Sequence, residues 1–252
     1  MRVLVDDQAG VGGFIISGTA SKQILIRGIG PSLTGFGVPD ALANPSLELH
    51  GSGSFTTLYN SNWRDSQENA IQATGLAPTS NLEAAILVHL NPGTYTAVLR
   101  GSGNTTGVAL VEFYDLNPGV DSRLANISSR AFVSTGDNII IAGFVLGGST
   151  GSNRIVVRGI GPSMSFFGIP SPIADPTLEL RDHNGALLIA NNDWQDNPAQ
   201  AAELTAAGLA PSDPHEAAVA VNLAPGLYTA LLAGRNDGTG VGLVEVYDRG
   251  AP

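Results

Sequence analysis

The chain contains two copies of one sequence pattern. Arg27–Ser32 (RGIGPS) returns unchanged as Arg158–Ser163, and Gly75–Pro78 (GLAP) returns as Gly208–Pro211. The distance between the copies is far longer than the period of a solenoid, so each copy is expected to be a whole domain. A chain built from two copies of one module is more typical of a binding or structural array than of a single-site enzyme.

The composition permits two ordinary domains and excludes cysteine chemistry. The 252 residues are 43% hydrophobic, which is enough for two separate cores. Charged residues make up only 13% of the chain, while 32 glycines and 15 prolines supply many turns. The absence of cysteine excludes disulfides, thiolate catalysis and cysteine-based metal sites.

The charge balance restricts the partners. The formal net charge is −10, and Lys22 is the only lysine, so nucleic acid and anionic membrane surfaces are not expected as partners. No apolar run is long enough to insert into a membrane. The sequence starts in a strand-like pattern rather than in a signal peptide. An acidic, lysine-poor surface is typical of exported proteins, so an extracellular or cell-surface location is expected.

The repeat predicts the domain boundaries. We expect a first domain at 1–117, a linker at 118–121 and a second domain at 122–252. Residues 123–128 have no counterpart ahead of the first copy. Either the first copy lacks its first strand, or this segment serves both domains.

Within each copy the pattern is that of β-strands. Short β-branched runs end at Gly, Ser and Pro, and Asn184-Gly185 between apolar stretches predicts a hairpin. Helices are predicted at 68–73 and 199–207, each followed by glycine and then proline. The sequence thus predicts an all-β protein of two tandem antiparallel β-sandwich domains, jelly-roll-like, each with one short helix.

Nothing in the motifs favours catalysis. Gly28-Ile29-Gly30 follows a strand, but Pro31 comes next and Leu33 stands where a dinucleotide motif needs glycine. Ser32 and Ser163 lie in Gly-Pro-Ser, which is not a nucleophile elbow. No histidine recurs at the same place in both copies. We therefore predict that the chain is not an enzyme.

Several charged residues recur in or beside apolar strands. A charge in such a place needs a partner, because burying it alone is costly. Arg–Glu ion pairs inside each copy are the expected reason, and a paired-carboxylate glycosidase site is the alternative. The residues expected in ion pairs are Arg27, Glu48 and Glu112 in the first copy and Arg158, Glu179 and Glu245 in the second; Glu83 and Glu216 recur as well.

The segment around each tryptophan is the main candidate ligand site. Its Asp and Asn oxygens suit a hard cation, so calcium is the one cofactor considered; a capped turn is the alternative. Trp63 and Trp194 are expected as buried plugs, with sugar stacking as the alternative. The candidate calcium ligands are Asn60, Asn62 and Asp65 in the first copy and Asn191, Asp193 and Asp196 in the second.

Parts of both copies resemble known modules. Residues 176–185, 191–194 and 223–229 resemble bacterial pre-peptidase C-terminal domains, as do 60–65 and 91–95 in the first copy. Residues 122–130, 136–138 and 142–144 look like a repeat near the ends of very large exported bacterial proteins. The first resemblance implies a small secreted β-sandwich that sometimes binds calcium or helps to bind substrate. Neither resemblance supplies catalytic residues.

Together these observations predict a non-catalytic structural or adhesive module of an exported bacterial protein. One alternative is an accessory carbohydrate- or matrix-binding domain of a secreted hydrolase. Another is a subunit of an extracellular filament that assembles by strand addition, since an unpaired sheet edge can accept a strand from another chain. The expected partners are other protein modules, copies of the chain itself, or extracellular polysaccharide.

Overall fold

The computed structural model of the chain describes residues 1–251 and has an all-β sandwich fold. The chain divides into two compact units, unit 1 (Met1–Ile127) and unit 2 (Ser128–Pro252). The ladders within each unit are antiparallel.

Unit 1 contains one three-stranded sheet and one larger sheet. The order is β6-β3-β9 in the smaller sheet, and β2-β7-β4-β5 runs through the larger one, with β10 beside β2. The strands are β1 (Arg2–Val3), β2 (Gly10–Gly18), β3 (Lys22–Ile29), β4 (Pro45–Gly51), β5 (Leu58–Asn60), β6 (Ala84–Leu90), β7 (Gly93–Gly101), β8 (Gly107–Val108), β9 (Leu110–Asp115) and β10 (Ser122–Val133).

Unit 2 has the same strand order. β15-β12-β17 corresponds to β6-β3-β9, with β10 beside β17, and β11-β16-β13-β14 corresponds to β2-β7-β4-β5. The strands are β11 (Ile140–Leu146), β12 (Asn153–Ile160), β13 (Pro176–Asp182), β14 (Leu187–Asn191), β15 (Ala217–Leu223), β16 (Gly226–Gly234) and β17 (Gly240–Asp248).

The division between the units lies inside β10, beyond the expected linker at 118–121. Leu124 and Ile127 pack against the core of unit 1. Phe132, from the second half of the strand, packs against a cluster in unit 2. Residues 123–128, which have no counterpart ahead of the first copy, thus lie in a strand that contributes to both units.

The central strands are apolar without alternation because both of their faces are covered. Ile24 and Ile26 of β3 point into the core between the sheets, and Leu25 points to the opposite face. That outer face is covered by Trp63 and by Ile71 of the short helix α1 (Glu68–Ala73). In unit 2 the helix α2 (Pro198–Ala206) and Trp194 cover β12 and β15 in the same way.

A short 3-10 turn begins at the proline of the repeated RGIGPS motif in each unit and spans Pro31–Phe36 and Pro162–Phe167. Proline starts each turn, where its missing N–H costs no hydrogen bond. Gly37 and Gly168 end the turns with φ of +77° and +73°, a conformation that L side chains rarely adopt.

Candidate functional site

Arg27 is the centre of a charged network in unit 1. It lies directly opposite Glu112 in the β3–β9 ladder, and its Nε donates to Glu112 Oε2 at 2.8 Å. Its Nη2 donates to the hydroxyl of Tyr114 at 2.8 Å, and that hydroxyl donates to Glu112 Oε1 at 2.9 Å. Its Nη1 donates to the carbonyl of Leu76, in the repeated GLAP segment, at 2.7 Å. The two repeated motifs are thus joined by one guanidinium group.

Unit 2 contains the same network. Arg158 donates to Glu245 Oε2 at 2.8 Å from Nε, to Tyr247 at 3.2 Å and to the carbonyl of Leu209 at 3.2 Å. Burial and the neighbouring Glu245 carboxylate raise the pKa of Tyr247 to about 12. The phenol therefore remains a hydrogen-bond donor across the physiological range.

Glu48 and Glu179 do not pair with these arginines. Glu48 Oε2 lies 3.3 Å from His50 Nε2, and Glu179 Oε2 accepts from Arg181 Nη2 at 2.6 Å. Each partner stands two residues away on the same strand, so the pair shares one face of the sheet. Of the two glutamates expected for each arginine, the one on the adjacent strand, Glu112 or Glu245, forms the ion pair.

Glu83 is fully buried and is held by backbone N–H groups instead of an arginine. Its Oε1 accepts from Gly30 N at 3.1 Å, Ser32 N at 3.0 Å and Ser32 Oγ at 2.5 Å. Its Oε2 accepts from Ser80 N at 3.2 Å. The carboxylate thus anchors the turn after β3 to the start of β6.

Glu216 makes the corresponding four bonds in unit 2, with Gly161, with the amide and hydroxyl of Ser163, and with Asp213 N. Only glycine fits the turn, because a Cβ on Gly161 would lie 2.3 Å from the carbonyl oxygen of Ile173. The RGIGPS motif therefore serves a structural purpose, in which its amides and its serine solvate a buried carboxylate.

The only lysine is fully buried. Lys22 Nζ donates to Asp115 Oδ2 at 2.8 Å and to the carbonyl of Asn117 at 3.4 Å. In unit 2 Asn153 takes the equivalent position, and its Nδ2 donates to both oxygens of Asp248 at 3.0 Å. One ion pair of the first unit is thus replaced by an amide–carboxylate bond in the second.

The two tryptophan rings differ in how far they are buried. Trp63 is 2% exposed, its Nε1 donates to the carbonyl of Ser80 at 3.0 Å, and the Arg64 guanidinium lies 4.3 Å from its ring centroid. Trp194 donates to the carbonyl of Asp213 at 3.1 Å and is only half-buried. Gln195 follows it where Arg64 follows Trp63. Trp63 offers no free face to a sugar, and only Trp194 retains partial access.

The side-chain oxygens of Asn60 and Asn191 are already engaged. Asn60 Oδ1 accepts from Ala85 N and Asn191 Oδ1 accepts from Ala218 N, both at 2.9 Å. Their Nδ2 atoms donate to the carbonyls two residues further along the chain. These asparagines connect the tryptophan loop to the neighbouring strand, and one acceptor position of each side-chain oxygen is occupied by a backbone amide.

The remaining candidate ligands form turns. Asn62 Oδ1 accepts from Arg64 N at 3.0 Å, and the amides of Asp65 and Asp196 donate to the carbonyls three residues earlier. Asp193 Oδ2 accepts from Asn192 Nδ2 at 2.8 Å, whereas its buried Oδ1 accepts no hydrogen bond from residues 1–251.

The aspartates of the tryptophan loop do not cap the helices. Asn197 caps α2, because its Oδ1 accepts from Ala199 N and Gln200 N at 3.1 and 3.2 Å. α1 begins after Gln67, whose side chain does not cap the helix and instead bonds the backbone of Leu87. Asp65 and Asp196 therefore lie in the turns that precede the caps.

Beside this loop, unit 2 contains an open cleft of about 510 Å³. Its wall brings together three residues singled out from the sequence with further polar neighbours. The polar lining is Glu179, Asn191, Asn192, Asp196, Asn197 and Gln200, together with Thr177.

Three exposed phenylalanines, Phe36, Phe166 and Phe167, lie in the 3-10 turns and were not anticipated from the sequence. Phe36 and Phe167 occupy equivalent places at the ends of the 3-10 turns, and both rings are exposed. Their recurrence between the copies was the available signal.

Metal clusters and membrane-spanning helices are both absent from the part of the chain that the structure describes. Among residues 1–251 there is no group of three or more His, Asp or Glu side chains that could hold a metal ion. No helix in that part of the chain is both long and apolar enough to cross a membrane.

Comparisons with known proteins show no family. No family model matches the chain, and no curated protein matches it. The structure of the STIV MCP, a viral capsid protein, aligns over 98% of this chain and 90% of its own, with 14% identity and a TM-score of 0.24. A chain of Sulfolobus Turreted Icosahedral Virus aligns over 100% of this chain and 86% of its own, with 14% identity and a TM-score of 0.23. Likeness at this level supports no functional conclusion.

Proposed function

We propose that the chain is a non-catalytic structural and adhesive module of an exported bacterial protein, working at the cell surface or outside the cell. One observation carries the proposal: the charged residues that recur between the copies bond within their own unit. Arg27, Glu83 and Glu112 engage backbone and side-chain partners of unit 1, and their counterparts do the same in unit 2.

Such internally bonded networks suit a structural role better than a catalytic one. A buried carboxylate fixed by four donors is held in one geometry away from solvent, whereas a general acid or base must reach the substrate to exchange its proton. The net charge of −10 favours protein and neutral polysaccharide as partners over nucleic acid.

The test measures both binding to candidate partners and cleavage of model substrates. The full chain, immobilised on beads, should retain a polysaccharide, a matrix protein or its own copies, while chromogenic ester, glycoside and peptide substrates remain uncleaved. Turnover that a single substitution abolishes, such as Glu179→Gln or His215→Ala, would contradict the proposal.

The polar cleft of unit 2 supports a second candidate, an accessory carbohydrate-binding module. Glu179, Asn192 and Asp196 line the cleft with acceptors and donors suited to sugar hydroxyls, and Trp194 is partly accessible. Glu179→Gln and Asp196→Asn should then reduce retention on polysaccharide at least tenfold. Glu48→Gln and Asp65→Asn, the same changes in unit 1, are the matched controls.

A further inference from the structure

The two units differ at one side of one strand, which is β2 in unit 1 and β11 in unit 2. In unit 1, β2 lies between β7 and β10. The amides of Thr19 and Ala20 donate to the carbonyl of Asp121 at 2.8 and 3.1 Å, and Thr19 Oγ1 donates to Asp121 Oδ2 at 2.6 Å. The backbones approach so closely that a Cβ on Gly18 would lie 2.4 Å from the Asp121 carbonyl oxygen. The segment Asp121–Ile127 thus closes this edge.

β11 is the equivalent strand of unit 2. The buried Phe14 of β2 stacks on Tyr95 with 5.3 Å between ring centroids, and Phe144 of β11 stacks on Tyr228 at 5.6 Å. β11 pairs with β16 along one edge. Within residues 1–251, no strand pairs with its other edge.

The features that receive Asp121 in unit 1 are repeated at the end of β11. Gly148 has φ of +106°, close to the +118° of Gly18, and Ser149 places a hydroxyl where Thr19 stands. The space beside Gly148 is open, since the nearest atom to an added Cβ would be Pro225 Cγ at 3.5 Å.

The open edge is bordered by apolar side chains. Ile141 and Val145 of β11 are 52% and 70% exposed, and Leu227 of the adjacent β16 is 56% exposed. Val11 and Ile15 take the equivalent places in β2, and both are half-buried and therefore less exposed than Ile141 and Val145. An edge strand with exposed apolar residues is a template for strand addition.

We propose that β11 is an acceptor edge for a strand of the Asp121–Ile127 type, presented by a further copy of this repeat. The aspartate would accept from the amide and hydroxyl of Ser149, while Leu and Ile would pack toward the inner face of the sheet, on the side of Phe144, as Leu124 and Ile127 pack against the core that contains Phe14 in unit 1. The inference rests on the proposed structural role and deepens it by naming the partner.

An identical chain is the less suitable occupant. Its own Asp121–Ile127 segment already pairs within unit 1, so donating it would first require that pairing to break. A module whose equivalent segment is unpaired has no such cost.

The test uses a fluorescently labelled synthetic peptide spanning residues 119–130, titrated into the full chain and followed by anisotropy. Saturable one-to-one binding is expected. Ser149→Asp should weaken it at least tenfold, because a carboxylate then faces the aspartate of the peptide. Asn184→Asp adds the same charge in an exposed hairpin turn and should leave binding unchanged.

Amide hydrogen exchange identifies the edge. The peptide should slow exchange at β11 and leave β2 unaffected. Absence of binding, or protection at β2 through displacement of β10, would overturn the proposal. Light scattering that shows self-association of the chain, abolished by Ser149→Asp, would also overturn it by making an identical chain the occupant. A peptide that fails to bind leaves the proposed function standing, whereas turnover of substrate contradicts that function whatever the peptide does.

Discussion

Glu83 and Glu216 are carboxylates placed inside a β-sandwich with no arginine or lysine bonded to them. Each accepts hydrogen bonds from three backbone amides and one serine hydroxyl. Such donors replace the water that the carboxylate loses on folding. Three of the four donors come from the RGIGPS turn, whose backbone conformation is thereby fixed.

Removing this carboxylate should be costly. Glu216→Ala leaves buried amides without an acceptor and should lower the free energy of unfolding by about 3 kcal/mol. Ser163→Ala removes one of the four bonds and should cost about 1 kcal/mol. Urea denaturation measures both values. Equal stabilities for Glu216→Ala and the parent chain would show that the turn does not depend on the carboxylate.

Tyr247 gives a prediction at alkaline pH. The ordinary phenol pKa is 10.0, and burial with Glu245 raises the pKa of Tyr247 to about 12. Between these values the folded state keeps a proton that the unfolded state loses, so the contribution is complete below pH 10 and is lost as the pH rises to 12. The loss should be about 1 kcal/mol, allowing for screening of a partly exposed ring.

The measurement is thermal unfolding from pH 9 to pH 12. Tyr247→Phe should be less stable than the parent at pH 9, because it loses the bond to Glu245. It should also lose less stability than the parent between pH 10 and 12. Parallel curves would show that Tyr247 does not titrate in this range.

The sequence indicates side-chain pairs more readily than side-chain-to-backbone bonds. Arg27 and Glu112 could be matched because both recur in apolar strands. Most donors around Glu83 are backbone amides, and because nearly every residue has one, the sequence does not indicate which amides will donate. The burial of Lys22 was hard to predict for a similar reason, because its partner Asp115 lies on a strand far along the chain. Contacts of this kind become evident only once the strand register is known.

At the scale of elements, the tryptophan loop and the helix after it form a second, smaller core on the outer face of the three-stranded sheet. Trp63 packs with Leu25, Ile71 and Ala85. The helices are short, and their buried positions are few. The stability of this layer therefore depends strongly on the single large ring beneath it.

The two rings should differ in what they contribute. Trp63→Ala should cost about 3–5 kcal/mol, the usual range for a large buried aromatic side chain. Trp194→Ala should cost less, because its ring is only half-buried and lacks the arginine cover. Chemical denaturation followed by circular dichroism compares them. A larger loss for Trp194→Ala would contradict this order.

Calcium should have little effect on this loop. The ion takes six to eight oxygen ligands, and the oxygens of Asn60 and Asn191 are engaged by backbone amides. Asp193 Oδ1 is buried and accepts no hydrogen bond from residues 1–251. The melting temperature should be equal with calcium and with chelator. A calcium-dependent rise that Asp193→Asn removes would instead establish the site.

At the scale of the whole molecule, each unit carries one tryptophan and therefore its own fluorescent probe. The strands and helices could be anticipated from alternation, glycine and proline. For β10 the sequence leaves two alternatives open, because its alternating residues fit an edge strand of either unit. Which core each half joins depends on packing that a local pattern does not encode.

The two probes test whether the units unfold separately. Arg158→Met leaves Glu245 without its charged partner and should destabilise unit 2 by about 3 kcal/mol. In the Trp63→Phe background, Trp194 should report a lower urea midpoint. In the Trp194→Phe background, Trp63 should report no change, and Arg27→Met should give the converse pattern. Equal shifts at both probes would show a single cooperative transition.

The burial of Lys22 has a chemical consequence for the surface. Because the single lysine is enclosed with Asp115, no lysine amine is presented to solvent. Reducing sugars and simple aldehydes condense with accessible amines, so the lysine side chain of this fold offers them no point of attack. In surroundings rich in such compounds, the module would resist browning and cross-linking while lysine-bearing neighbours became modified.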